Sequence, residues 1–161
     1  MPLNMKNTFI SRPSNSALSY ATGTFKGEYV PTWKFTEITA GCGALKSTAR
    51  DMIKYLAFQI NGPDAKRASL YLAAQKSHVC TDIQVGPNIF MCLGWHILKI
   101  KKIQNSKPGI EKIVWHNGQT YGFRSFAGFV KKDKMGVVIL CNSGSVDINS
   151  LGFSILCEKI R

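Results

Sequence analysis

The spacing of hydrophobic and polar positions changes along this 161-residue chain, from an irregular region to a helical region and then to a strand-like region. Residues 7–43 mix Ser, Thr, Gly, Pro and aromatic residues without a sustained period, which predicts an extended loop. From Ser47 or Thr48 onward, apolar positions recur at helical spacing as far as about Asn61. The pattern predicts a helix whose inward-facing residues are Met52, Tyr55, Leu56 and Ile60.

Two further helices are predicted, one after the Gly62-Pro63 break and one at the end of the chain. The first covers residues 65–75, and its apolar positions are expected to pack against the rest of the domain. The second begins at Ser145 or Asp147, runs to about residue 160, and is expected to lie on one face of a sheet. The residues expected to face inward are Leu70, Leu72 and Ala73 in the first, and Ile148, Leu151, Ile155 and Ile160 in the second.

The second half of the chain has the pattern of strands. The predicted strands cover residues 90–103, 110–117, 121–130 and 136–142, with a polar turn at 105–109 between the first two. The last strand is apolar at nearly every position, which predicts that both of its faces are covered and that it lies in the centre of a sheet. An antiparallel sheet followed by a helix is therefore expected.

The composition indicates a folded domain with a strong positive charge. Hydrophobic residues make up 45% of the chain, which is enough for one modest core. The formal net charge is +12, which favours anionic partners such as nucleic acid or an anionic cell-envelope polymer. The lysines form small clusters, and no nucleic-acid recognition motif accompanies these clusters, so we interpret them as charges on solvated turns and faces. The clustered lysines are Lys99, Lys101, Lys102, Lys107, Lys131, Lys132 and Lys134.

The cysteines and histidines do not show the spacing of a metal site. The five cysteines include no C-x-x-C pair and lie mostly in apolar runs, so buried free thiols are the expectation. The three histidines, His78, His96 and His116, are far apart in sequence. We predict no metal and no cofactor.

Five short motifs occur in a fixed order. Residues 2–8 read PLNMKNT, residues 40–52 read AGCGALKSTARDM, and residues 93–95 read LGW. Residues 113–126 read IVWHNGQTYGFRSF, and residues 136–143 read GVVILCNS. Together they resemble the C-terminal part of the class C β-lactamase and penicillin-binding-protein family of serine hydrolases, whose third motif is H-x-G or K-T-G.

This resemblance implies a fold and a single partial domain. The family's fold is an α/β/α sandwich, with an antiparallel sheet between helices. On this basis residues 1–46 are loop-rich, 47–75 helical, 90–142 antiparallel strands and 145–160 a C-terminal helix. Without the rest of the fold, apolar sheet surface and an unpaired strand edge would face water, so we expect marginal independent folding and a tendency to pair with another chain.

The resemblance also implies a substrate-binding strand. His116 takes the place of the family's Lys or His, which helps to orient the substrate carboxylate and tune proton transfer. Gly118 would allow the substrate backbone to approach, and the Gln119 N–H would be one donor of the oxyanion hole. Gln119 stands where glycine is commonest, and Tyr121, where small residues are usual, is expected to narrow the groove.

The family's nucleophile motifs are missing from the printed sequence. No serine has lysine three positions on, as in S-x-x-K, and no tyrosine or serine has asparagine two positions on, as in Y-x-N or S-x-N. Both motifs precede the first matching stretch in the family, so the chain is expected to begin downstream of them. The serine N–H of the oxyanion hole is then absent, and the expected partner is a separately encoded N-terminal fragment.

The sequence offers no signal peptide and no apolar run long enough to span a bilayer. If it is the whole translated product, a cytoplasmic location is expected, whereas full-length family members usually act outside the cytoplasm.

Three functions are compatible with these features. The first is a split or truncated serine hydrolase, inactive alone, whose β-lactam or D-alanyl-D-alanine peptide substrate would bind after complementation. The second is a non-catalytic module that binds peptidoglycan peptides or a protein. The third is a basic protein associated with nucleic acid, whose affinity would fall steeply with salt.

Overall fold

A computed structural model describes residues 3–11, 21–62, 68–104 and 107–158, with the side chains of 102–104 and 107–110 left out. The helices are α1 (Ala49–Asn61), α2 (Ala68–Lys76) and α3 (Ile148–Glu158), and Ala40–Cys42 forms a short 3-10 turn. The strands are β1 (Gly23–Phe25), β2 (Glu28–Val30), β3 (Cys80–Gly86), β4 (Ile89–Cys92), β5 (His96–Gln104), β6 (Lys107–Gln119), β7 (Arg124–Val130) and β8 (Met135–Cys141).

The main sheet is antiparallel throughout, and its six strands follow one another in chain order from β3 to β8. Helix α1 packs on one face and α3 on the other, so the molecule has the three layers expected from the resemblance. One core cluster lies on the α1 side: Leu56, Ile60, Cys92, Trp95, Ile97, Val114 and Phe129. The other lies on the α3 side: Ile113, Trp115, Phe126, Val130, Ile148 and Leu156. The mixed α/β prediction is confirmed.

Helix α1 begins where the sequence predicted, because Thr48 caps its first turn and the acidic Asp51 lies in that turn. The Thr48 side chain accepts a hydrogen bond from the Asp51 N–H. The Asp51 carboxylate is fully buried and accepts hydrogen bonds from the Asn7 N–H, the Thr8 hydroxyl and the Lys54 ammonium. Burial raises the pKa of Asp51, but these bonds outweigh it, so the pKa lies below its usual value. Asp51 thereby ties the N-terminal segment to α1.

The N-terminal region is less irregular than predicted. Strands β1 and β2 form a small hairpin whose turn residues, Lys26 and Gly27, both have positive φ. Just beyond β8, the Thr24 N–H donates to the Asn142 carbonyl at 2.8 Å, and the Gly144 N–H donates to the Thr24 carbonyl at 2.8 Å. The prediction of loop for residues 7–43 is therefore wrong for this hairpin, because long-range pairing organises a segment without strong local periodicity.

The first predicted strand is two strands, and another precedes it. Gly94, with φ of +88°, turns the chain between β4 and β5, so residues 90–103 do not form one continuous strand. Strand β3 has five exposed central residues and therefore lacks the apolar alternation that identifies a half-buried strand. The lysines Lys99 and Lys101 lie within β5 and not in a turn. Residues 105 and 106 of the predicted turn lie outside the described part.

The expected inward faces of α2 and α3 are wrong in part. Helix α2 buries none of its residues and contacts the domain through Tyr71, whose ring packs edge-on against Phe58. In α3 the buried residues are Ile148, Gly152 and Leu156, whereas Leu151 and Ile155 are exposed. Both sets recur at helical spacing, so periodicity alone does not choose between them. Ile160 and residues 63–67 lie outside the described part.

Two further expectations need correction. Strand β8 is covered on both faces, as predicted, and among the described residues it pairs with β7 alone, whereas the sequence predicts a central strand. Cys80 and Cys92, which face each other across β3 and β4, form a disulfide, so the free-thiol expectation is wrong for this pair. Of the three remaining thiols, Cys42 is exposed, whereas Cys141 and Cys157 are half-buried. Spacing in the sequence does not reveal which strands bring two cysteines together.

Candidate functional site

The third motif lies at the point where the long strand β6 loses one of its two neighbours. The pairing between β5 and β6 ends at His96 opposite Trp115. The following residues, 116–119, still pair with β7, from His116 opposite Ala127 to Gln119 opposite Arg124. On the β5 side, no strand of the described residues pairs with this segment. We call residues 116–119 the open edge, because their backbone can receive another extended chain there.

The open edge exists because β5 begins late. The chain turns at Gly94, and the Cys92 N–H donates to the Trp95 carbonyl at 2.8 Å. This turn starts β5 at His96, one position short of reaching His116. The site is thus formed by backbone geometry on a neighbouring strand.

His116 is exposed on the open edge, and its hydrogen bond fixes the position of its proton. Its Nδ1 lies within hydrogen-bonding distance of the Asn117 carbonyl oxygen. Because a carbonyl only accepts, Nδ1 must carry the proton, and in the neutral ring Nε2 then has the free lone pair. His116 can therefore accept a proton at Nε2 or, when charged, donate from that atom to an anion.

A second histidine, His96, stands beside His116, with the two ring centroids 5.3 Å apart. The His96 ring also lies 5.1 Å from the Trp115 ring, and its Nδ1 is buried with no hydrogen-bond partner among the described residues. Burial lowers the pKa of His96, and the nearby His116 lowers it further. His96 therefore resists taking up a second positive charge beside His116. Sequence reasoning missed this neighbour, because twenty positions separate the two residues.

Gly118 lies opposite Ser125 of β7, and the contact is close. A Cβ added to Gly118 would meet the Ser125 Oγ at 2.6 Å, so a larger residue would displace this hydroxyl. Gln119 is exposed and is the last residue of β6. The structure thus brings His116, Gly118 and Gln119 together on one short edge.

The loop that follows the open edge is fixed by the β1 hairpin and by the chain after β8. A Cβ on Gly122 would lie 2.8 Å from the Gly23 Cα, and a Cβ on Gly144 would lie 2.0 Å from the Tyr121 carbonyl oxygen. The Tyr121 ring packs 5.1 Å from that of Phe25. These backbone contacts leave no space for a side chain, so only glycine fits at Gly122 and Gly144. The two glycines thereby allow the β1 hairpin and the chain after β8 to pack against the loop that follows the open edge. The sequence shows these glycines but not their partners.

Among the described residues, no group of three or more His, Cys, Asp or Glu side chains could hold a metal ion. In the same part of the chain, no helix is long and apolar enough to cross a membrane.

Similar solved structures establish the fold. A class C β-lactamase superposes with a TM-score of 0.80 over 97% of this chain and 48% of its own, at 20% identity. A protein described as β-lactamase/D-alanine carboxypeptidase, from Pseudomonas syringae, gives a TM-score of 0.79 over 98% of this chain and 50% of its own, at 19% identity. The fold of this chain therefore corresponds to roughly half of the length of each of those proteins.

Sequence relatives agree with the structural match. A β-lactamase from Providencia stuartii is 26% identical in an alignment of 162 positions that covers 87% of this chain and 42% of the relative. A β-lactamase from Yersinia enterocolitica is 25% identical in an alignment of 175 positions that covers 88% of this chain and 42% of the relative. The chain thus spans less than half the length of these curated relatives. The family model named Beta-lactamase matches residues 1–149, and this chain therefore belongs to the β-lactamase family.

Proposed function

We propose that this chain provides the substrate-binding part of a β-lactamase-family serine hydrolase and is inactive on its own. The observation that carries the proposal is the open edge, where an exposed histidine, a glycine and a free strand edge lie together. The substrate is a β-lactam or a D-alanyl-D-alanine peptide, both of which present an amide carbonyl and a carboxylate.

The open edge supplies binding and orientation. The extended backbone of a bound acyl group can pair with residues 116–119 as an added strand, since no described strand pairs with this segment on the β5 side. Protonated at Nε2, His116 can donate to the substrate carboxylate, while Nδ1 keeps its bond to the Asn117 carbonyl. The Gln119 N–H would be one donor to the oxyanion that develops on the substrate carbonyl.

The chemical step requires groups from outside the printed sequence. Acyl transfer needs a serine hydroxyl, a base such as the lysine of S-x-x-K to take its proton, and a hydroxyl such as that of Y-x-N to protonate the leaving group. None of these motifs occurs in the 161 residues. We therefore infer a partner polypeptide that carries both motifs and the second oxyanion donor.

The test is incubation with a fluorescent penicillin, followed by denaturing electrophoresis and intact mass. The chain is assayed alone and together with a polypeptide that carries the family's S-x-x-K and Y-x-N motifs. We expect no label on this chain alone and label on the serine of the added polypeptide in the mixture. Stoichiometric label on this chain alone would overturn the proposal, because a nucleophile would then be present.

A matched pair of variants tests the role of the open edge. His116→Asn should slow labelling of the mixture by about tenfold, the effect of losing one charge-assisted hydrogen bond. Lys112→Asn alters an exposed residue of the same strand away from the open edge, and it should leave the labelling rate unchanged. Equal rates in the two variants would contradict a role for His116.

A binding module without turnover is the second candidate, because an open strand edge can hold a peptide without any nucleophile. This function predicts saturable binding of a D-alanyl-D-alanine peptide to the chain alone, measured by calorimetry, with no label in either penicillin experiment.

A further inference from the structure

Strand β5 and the open edge are consecutive along the same side of β6. His96, the first residue of β5, pairs with Trp115, and the open edge begins at the next residue of β6, His116. An extended chain that pairs with residues 116–119 therefore occupies the line that β5 would follow if it began earlier. One end of the bound chain then meets His96.

The proposed function, on which the present inference rests, decides which end of the bound chain meets His96. In that function the substrate carbonyl lies at the Gln119 N–H, and the substrate carboxylate lies at His116. The direction from carbonyl to carboxylate is then opposite to the direction of β6, as the direction of β5 is. The described strands of this sheet are all paired in the same antiparallel way. The carboxylate end of the substrate therefore points at the first residue of β5.

The His96 ring stands beside the His116 ring and presents one nitrogen as a donor. The two ring centroids are 5.3 Å apart, and the His96 ring lies 5.1 Å from the Trp115 ring. The His96 Nδ1 is buried without a hydrogen-bond partner among the described residues, whereas Nε2 is not enclosed in this way. Because nothing accepts a hydrogen bond at Nδ1, the neutral ring keeps its proton on Nε2, from which it can donate.

We propose that His96 is a second residue of the carboxylate subsite, where its Nε2 donates a hydrogen bond to the substrate carboxylate beside His116. A carboxylate has two acceptor oxygens, so it can accept one hydrogen bond from each imidazole. Each such bond spans about 2.8 Å, so one carboxylate can reach both of these adjacent rings.

The electrostatics of the two histidines suit one anionic group. Burial lowers the pKa of His96 below its ordinary value of 6.5, and the nearby His116 lowers it further. His96 is therefore neutral at pH 7 and can donate without placing a second positive charge beside His116. When His116 is charged, the pair offers one charged donor and one neutral donor.

His96 has a possible alternative role, which is to hold the His116 ring in place without touching the substrate. In this role the loss of His96 weakens binding only through His116. A direct contact and an indirect one therefore differ in a variant that has already lost the His116 ring.

The test compares an N-acylated peptide that ends in D-alanyl-D-alanine with the same peptide as its C-terminal amide. Binding to this chain is measured by NMR titration, and binding to the mixture with the nucleophile-bearing polypeptide is measured by competition with the fluorescent penicillin. His96→Phe keeps a ring against Trp115 but removes the donor, so the affinity for the acid should fall about tenfold. The affinity for the amide should change less than about twofold, because an uncharged group gains less from the donor. Retained affinity for the amide also shows that the variant is folded.

Two further variants separate the donor from its surroundings. His96→Gln places an amide N–H near the position of Nε2 and should recover part of the preference for the acid. Lys101→Gln removes a positive charge from an exposed position of the same strand. Lys101 lies about 17 Å along β5 from His96, which is beyond the screening length of about 8 Å at physiological salt. The preference for the acid should therefore be unchanged in Lys101→Gln.

A His116→Asn background shows whether His96 contacts the carboxylate directly. In this background His96→Phe should still lower the acid-to-amide affinity ratio several-fold, and no further loss would overturn the inference, because His96 would then act only through His116. Equal affinities of the wild type for acid and amide, or equal losses for both in His96→Phe, also overturn it and leave the proposed function intact. Failure of both peptides to bind the wild type, alone and in the mixture, overturns it as well. If the penicillin label is also missing from the mixture, the proposed function fails with it.

Discussion

The two outer strands of the six-stranded sheet, β3 and β8, differ in almost every property that decides how a strand edge meets water. Strand β3 has register shifts on both sides of Gln84, carries Asp82, and is crosslinked to β4 by the Cys80–Cys92 disulfide. Strand β8 is regular, uncharged and covered on both faces. The β3 edge is thus built to remain exposed, whereas the β8 edge is built to be paired.

This difference also appears in the core beneath each edge. All five central residues of β3 are exposed, so this strand contributes little to the core. Next to β8, the fully buried Leu156 of α3 packs against β7, close to Gly128. We therefore expect the stability of the domain to reside mainly on the β8 side.

The largest expected effect is that of a truncation beneath β7 and β8. Leu156→Ala should lower the free energy of unfolding by about 3 kcal/mol, since it leaves a cavity at a fully buried site. Val85→Ala, on the exposed β3 edge, should change it by less than about 0.5 kcal/mol. Urea denaturation of both variants measures the difference. Similar losses in the two variants would contradict the unequal roles of the two edges.

The next effect concerns the disulfide that holds β3 to β4. Changing both Cys80 and Cys92 to Ala should cost about 2 to 3 kcal/mol, the usual value for a crosslink that closes a short loop. Hydrogen exchange should show the loss of protection first in β3, with β8 little affected. Uniform loss of protection across the sheet would show that the disulfide stabilises the whole domain and not one edge.

A pH effect of intermediate size is expected on the β3 side. His78 lies just before β3 against the rings of Trp95 and Phe129; burial lowers its pKa, and Lys131 lowers it further. Burial also lowers the pKa of His96, and the charge of His116 lowers it further. The unfolded chain therefore binds protons that the folded chain resists, so stability should fall as the pH drops below about 6.5.

Urea unfolding at pH 7 and at pH 5 measures this dependence, and His78→Leu should reduce it. An unchanged dependence in that variant would mean that protonation of His78 is not resisted by the fold.

The smallest expected effect is in the turn that leads into β8. The Lys132 Nζ lies 3.6 Å from a carboxylate oxygen of Glu111, but the lysine side chain is largely exposed. Lys132→Ala should lower the free energy of unfolding by about 0.5 kcal/mol, measured by urea denaturation. A loss of more than about 1 kcal/mol would show that this ion pair contributes more than an exposed pair does.

Much of this architecture could be predicted from local patterns. The cap at Thr48, the helix to Asn61 and the strands around the third motif all follow from short-range signals. The same reasoning failed for α3, where Leu151 and Ile155 match the helical period as well as the buried Ile148 and Leu156 do. Periodicity identifies an apolar stripe, but it does not show which stripe meets the sheet.

In the candidate site, too, some residues could be predicted from local patterns and others could not. His116, Gly118 and Gln119 were found through the motif and its resemblance. The neighbour His96 and the free side of the edge were not found, since both depend on where β5 ends relative to β6. The start of α1 near Thr48 was predicted, but the bonds of the buried Asp51 carboxylate to Asn7 and Thr8 join positions more than forty residues apart and were not.

The sequence by itself determined the family, the order of the three helices and of the later strands, and the identity of the motif residues, because each is recorded in contiguous residues or in their order along the chain. The tertiary structure alone decided that Cys80 meets Cys92, and that no described strand pairs with residues 116–119 on the β5 side. The physical reason is that the pattern of side chains along a strand shows which of its faces are buried. The edge of a strand consists of backbone N–H and C=O groups, and the strand that pairs with them depends on the rest of the molecule.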